Sequence, residues 1–147
     1  QIEWCLKQKS GIRIIEPNNN IANDYFKKAE DSLNVMETVK VLDWKIISAY
    51  YACYDCLYAL LQKTGIKSEI HKCSIALMKF FDFSKEDIDF IKKLKDKRID
   101  AQYYTRKISS VEENKVKDFV LKCEEINHKA DFNKIRIKII QEIKKHK

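Results

Sequence analysis

Apolar side chains return every three or four positions from Ile21 to the end of the chain, the period of helices that each turn one face inward. The first such stretch runs through Tyr25, Ala29, Leu33, Met36 and Val39 or Lys40, and the Asn18-Asn19-Asn20 run before it offers a side-chain oxygen to cap its start. Asp43 is expected to cap a second helix. There Trp44, Ile47, Tyr51, Tyr54, Leu57, Tyr58 and Leu61 cover more than half of the circumference, which makes it the enclosed central helix of a core. Gly65 is placed to end it in a left-handed cap. A shorter third helix, His71 to Phe81, carries Cys73, Leu77, Met78 and Phe81 as its inner stripe. Ser84 with Asp87 reads as a capping box opening a fourth, with Ile88, Ile91, Leu94 and Ala101 inward and Lys92, Lys93, Lys95, Lys97 and Arg98 elsewhere. Ser110 with Glu113 reads as another, opening a fifth through Val116, Phe119, Val120, Cys123 and Ile126.

The two ends differ from this middle. Residues 1–18 read as an arm or short helix that docks through Trp4, Cys5 and Leu6 and stops at Pro17. Residues 131–147 carry six Lys or Arg against Asp131 and Glu142, interleaved with Phe132, Ile135, Ile139, Ile140 and Ile143, a basic amphipathic helix. Its isoleucines argue for docking onto protein rather than for an RNA-stacking surface. The expected architecture is all-α: an antiparallel up-and-down bundle of four core helices plus short and terminal ones, in one domain over residues 1–147.

Composition narrows the function classes. Two glycines and one proline are too few turn residues for a multi-stranded sheet. A net charge of +7 and a pI near 9.1 suit a polyanionic partner, although a lysine-rich surface is also a thermophile habit. No membrane span is expected, because the longest apolar run, Ile46 to Leu61, carries Asp55 in its middle. The N-terminus lacks the apolar middle of a secretion signal, though the missing initiator methionine warns of trimming. Five irregularly spaced cysteines argue for reduced thiols in a cytoplasm, with one bridge left open.

Candidate chemistry gathers at KRIDAQYY, Lys97 to Tyr104, at the end of the basic fourth helix. Arg98 can grip phosphate through its planar fork, or serve as a cation favoured in a last helical turn. Tyr103 and Tyr104 can stack on a base or give hydroxyls to phosphate, or else anchor a dimer interface. Lys97, Asp100, Gln102 and Arg106 form the polar fringe, with Asp100 read as a partner for Lys97 or Arg106. On an unbroken α-helix Arg98 and Tyr103 would point about 140° apart, so they converge only if the helix ends between them or two subunits meet. Asp55, amid apolar neighbours, needs a groove or a partner, and Arg98 is one candidate. Cys53, Cys56, His71 and Cys73 supply the ligand types of a zinc site, yet they continue the apolar stripes, so no metal or other cofactor is assigned. His71 reads instead as a helix-start residue bonded to its own turn.

Taken together, Ala49-Tyr50-Tyr51-Ala52, Ala59-Leu60-Leu61, Gly65-Ile66 with His71, and Arg98 with Ala101 and Tyr103 resemble the HEPN superfamily of small helical nucleotide-binding or RNase domains. The closer likeness is to uncharacterised prokaryotic members that are widespread in archaea, over about residues 1–129. The resemblance implies a homodimer in which an R-x(4–6)-H motif from each subunit lines the groove and cleaves RNA without metal. It also implies a small nucleotidyltransferase as antitoxin partner. This chain departs from the motif: Tyr103 stands where the histidine would, Ile99 replaces the usual polar residue, and tyrosine, with a pKa near 10, is a poor proton shuttle. The expectation is therefore an RNA- or nucleotide-binding protein, the toxin-like ribonuclease half of a toxin–antitoxin pair, with Arg98 stabilising transition-state charge and Tyr103 or Tyr104 orienting oxygens. The alternative is a non-catalytic helical dimerisation module.

Overall fold

The computed structural model describes residues 1–104 and 110–147, Tyr104 by its backbone alone. Helix α1 (Ile2–Lys7) and a two-residue strand β1 (Arg13–Ile14) lead into the long helices α2 (Asn19–Thr38) and α3 (Leu42–Thr64). Strand β2 (Ile66–Lys67), α4 (His71–Ala76) and a 3-10 turn (Leu77–Phe80) follow. Then come α5 (Lys85–Ile99), a π-helical turn (Asp100–Tyr104), α6 (Glu113–Lys129) and α7 (Phe132–Lys145). This is an all-α bundle, with α3 at its centre packed on α2, α5, α6 and α7.

The central position of α3 follows from its composition. Ala49, Ala52 and Ala59 let neighbours approach, while Tyr50, Leu57, Leu60 and Leu61 fill the space between them, all without solvent exposure. Met36 of α2, Ile91 of α5, Val116 and Phe119 of α6, and Ile139 and Ile143 of α7 close around it. The inner stripes expected for the third and fifth helices are buried as read, and the basic tail docks on the bundle through its isoleucines. No helix among the described residues is long and apolar enough to cross a membrane.

The helix ends test the capping signals. Asn18 Oδ1 accepts from the Ile21 N–H at 2.9 Å, and Ser84 and Asp87 exchange both bonds of a capping box. Asp43 does not cap α3, which begins one residue earlier; it sits in the first turn, where its charge favours the helix dipole. The second capping box is also absent, because Glu113 N–H bonds to Val111 O in a tight turn and α6 starts there, beyond the reach of Ser110. Trp44, expected inside, is 59% exposed at the first turn of α3, and Trp4 lies on the surface under the Lys72 ammonium at 3.6 Å.

Gly65 ends α3 at φ 80°, ψ 38°, as its position implied. Sequence pattern did not reveal what this turn builds. β1 and β2 pair antiparallel, Ile14 opposite Ile66 and Arg13 opposite Lys67, a ladder too short to show alternation. Arg136 of α7 reaches into the same turn and donates Nη1–H bonds to Ile15 O, Thr64 O and Gly65 O at 2.8, 3.1 and 2.9 Å.

The cysteines correct the expectation of reduced thiols at one pair. Cys5 on α1 and Cys73 on α4, both fully buried, are joined in a disulfide that ties the N-terminal arm to the bundle. Cys53, Cys56 and Cys123 remain as buried free thiols.

Candidate functional site

The site begins with two tyrosines on α3 and one arginine on α5. Tyr50 is fully buried and Tyr51 half-buried, adjacent on a helix that the core holds rigid. Arg98, in the last turn of α5, turns inward and is only 8% exposed. Its guanidinium carbon lies 4.9 Å from the centre of the Tyr50 ring and 5.7 Å from that of Tyr51. Two aromatic faces give a buried cation about 2 kcal/mol each at best, whereas burying an unpaired charge costs several kcal/mol. The aromatic cradle alone therefore does not satisfy it.

Hydrogen bonding leaves the same deficit. Arg98 Nη1 donates to Gln102 Oε1 at 3.2 Å, while Nε is buried with no partner. Among the described residues no carboxylate pairs with Arg98. A guanidinium with an orphaned donor and no counter-ion, held by neighbours that touch mainly its faces, is chemically an anion receptor.

His71 enters from the start of α4. Its Nδ1 shares a hydrogen bond of 2.7 Å with the Tyr50 hydroxyl, and its ring stacks on Tyr54 at 3.9 Å with the planes 13° apart. Burial, then the positive charges of Arg98 and Lys95, push the imidazole down to about 4, so it is neutral at pH 7. Burial also pushes the Tyr50 phenol well above its usual range, with Tyr54 adding to the effect and Arg98 opposing it. Tyr50 therefore keeps its proton. If the hydroxyl donates to Nδ1, the other ring nitrogen, Nε2, carries the N–H. Nε2 has no partner among the described residues.

Tyr50 and Tyr51 of the AYYA fragment, His71 and Arg98, far apart in sequence, thus meet at one place, while Gly65-Ile66 lies at the other end of α3. A family model described as HEPN domain matches residues 19–132. The chain belongs to the HEPN family. No curated protein and no solved structure matches it.

Within this HEPN bundle the anticipated residues fall unevenly. Gln102 lies exposed on Arg98, and Tyr103 is 64% exposed with no contact to it. The π-helical turn over Asp100–Tyr104 widens the helix, and its i to i+5 repeat swings Tyr103 part of the way back toward the Arg98 side. Asp100 is half-buried in that turn. Lys97 lines a different feature, a groove of about 480 Å³ between α5 and α6 with Phe90, Lys93 and Lys115. The Tyr104 side chain and Arg106 lie outside the described residues.

Asp55 does not meet Arg98. It is half-buried, and burial lifts its carboxyl to about 6 despite the nearby Lys28 of α2. The zinc set does not assemble either, since Cys73 is bonded to Cys5 and His71 to Tyr50. Among the described residues no group of three or more His, Cys, Asp or Glu could hold a metal ion. Residue-by-residue reading missed Tyr50 and Tyr51 as the arginine's cradle and gave His71 to its own turn. The available signal was that all three occur in the fragments carrying the family likeness.

Proposed function

We propose that this HEPN protein binds RNA or a nucleotide by its phosphate, with Arg98 as the principal contact. The observation that carries this is the state of Arg98: buried, cradled by Tyr50 and Tyr51, short of a hydrogen-bond partner at Nε, and without a paired carboxylate among the described residues. Lys97, Gln102, Tyr103, Tyr104 and Arg106 extend the contact along the strand, tyrosines by stacking and cations by charge. Asp100 takes part through orientation rather than by touching phosphate, and Asp55, which faces Lys28, is left out of the site. Tyr103 at the place of the motif's histidine favours binding over rapid proton transfer. The HEPN family match supports a homodimer, the whole chain acting as one HEPN domain in each subunit. In the cytoplasm such a protein would be the toxin-like half of a pair, restrained by a small nucleotidyltransferase.

Fluorescence anisotropy with a short single-stranded RNA tests the reading. Arg98→Ala should weaken binding roughly 10- to 100-fold, the loss of charge-assisted hydrogen bonds of about 1.5–3 kcal/mol, and wild-type binding should fall steeply with salt. Unchanged binding of RNA and of mononucleotides by a folded Arg98→Ala dimer would leave a non-catalytic interaction module instead.

A further inference from the structure

The unused feature nearest to Arg98 is the free edge of His71, a residue outside the R-x(4–6)-H segment and on a different helix. We propose that His71 is the second phosphate-contacting group of the Arg98 site, so that one phosphate is held between guanidinium and imidazole and the ring takes up a proton from solvent as it enters. This rests on the reading of Arg98 as a phosphate contact.

Tyr50 makes the two groups neighbours. Its π face carries the guanidinium at 4.9 Å, and its hydroxyl holds His71 Nδ1 at 2.7 Å. The imidazole also stacks on Tyr54 and meets Tyr51 edge-on, with centroids 6.3 Å apart, so three rings of α3 fix its plane. With Nδ1 engaged, only Nε2 is left to reach a ligand. A ring so constrained offers that nitrogen without loss of side-chain freedom on binding.

Charge explains why the proton arrives with the phosphate. The groups facing His71 are Tyr50, Tyr51 and Tyr54 of α3 and Arg98 and Lys95 of α5, two cations and no carboxylate among the described residues. On its own helix, Lys72 is turned onto Trp4, and exposed Asp96 of α5 lines a groove that it shares with Lys72, Lys92 and Lys95. Burial first, and then these cations, hold the imidazole neutral. A phosphate between Arg98 and His71 cancels their field and accepts a hydrogen bond from each, which favours the charged ring.

Side-chain nitrogen NMR of the full-length protein tests this, with a 2′-O-methyl RNA oligomer as an uncleavable probe. Free protein should show His71 neutral down to about 4. Saturating RNA should move its titration upward, by about tenfold in proton affinity or more. His71→Gln should bind several-fold more weakly and lose the tightening that wild type shows as pH falls below neutrality. An unmoved His71 titration under RNA that Arg98→Ala no longer binds overturns this inference and leaves the binding reading standing. Equal binding by Arg98→Ala overturns both.

Discussion

Arg136, at the Gly65 turn, and Arg98, at the end of α5, are both arginines drawn toward the bundle, and they differ in what accepts their hydrogen bonds. Arg136 gives Nη1–H to three backbone carbonyls at 2.8 to 3.1 Å, from the first connection and the end of α3. Gly65 O also accepts the Ile15 N–H at 2.9 Å, whereas Thr64 O, at the helix terminus, and Ile15 O take the guanidinium N–H. Arg98 is more buried, yet among the described residues its Nη1 meets a single side-chain amide and its Nε meets no acceptor. Burial therefore does not separate a structural arginine from a binding one. Acceptor supply does, and a cation that the fold leaves unsaturated is one that a ligand can still stabilise.

The structural end can be broken hardest at Gly65. Its φ of 80° suits glycine, and a Cβ there would collide with Arg136 Nη1 and come within 2.6 Å of Ile15 O. Gly65→Ala should cost roughly 3 kcal/mol through backbone strain and displacement of the arginine, read as a drop of about 6–12 °C in Tm. RNA binding at room temperature should survive.

A matched pair of substitutions sharpens the contrast. Arg136→Met keeps much of the volume but takes the donor from Ile15 O and Thr64 O, and should cost about 1–3 kcal/mol in urea denaturation. Arg98→Met removes an unpaired buried cation while leaving an apolar chain against Tyr50 and Tyr51. Its stability should change by less than about 1 kcal/mol in either direction, while RNA affinity collapses. Equal destabilisation by both would mean that Arg98 is as structural as Arg136.

Much of this was legible in the chain because it rests on local rules. The 3.6-residue period found every long helix, Gly65 announced the end of α3, and Asn18 and Ser84 marked helix starts. The failures are non-local. The disulfide joins residues 68 apart in sequence, Arg136 meets Ile15 across 121 residues, and β1 is two residues long. No periodicity encodes such meetings. The candidate site divides in the same way: Arg98 stood out as the lone arginine of its segment, whereas Tyr50 looked like core and His71 like a turn residue, because each acquires its role only when α3, α4 and α5 cross.

The smallest expected effect concerns two titrating groups near that crossing. Asp55 lies one turn beyond Tyr51 on α3, yet it engages the Lys28 side and not Arg98. Burial lifts its carboxyl to about 6, so the folded state holds the proton more tightly than the unfolded chain does. Asp55 thus contributes stability that is present below about pH 4 and lost as pH rises through 6. His71 is opposite: pushed down to about 4, its contribution is present above about pH 6.5 and lost as pH falls through 4. Each would be worth about 3 kcal/mol if fully shielded, and partial exposure reduces that to about 1. The two slopes should nearly cancel in the wild type between pH 4 and 6. Asp55→Asn leaves His71 alone, so stability in urea should rise with pH across that window, and His71→Gln leaves Asp55 alone, so it should fall. Parallel profiles for the two variants would mean that the buried, cation-flanked surroundings of His71 are not as described.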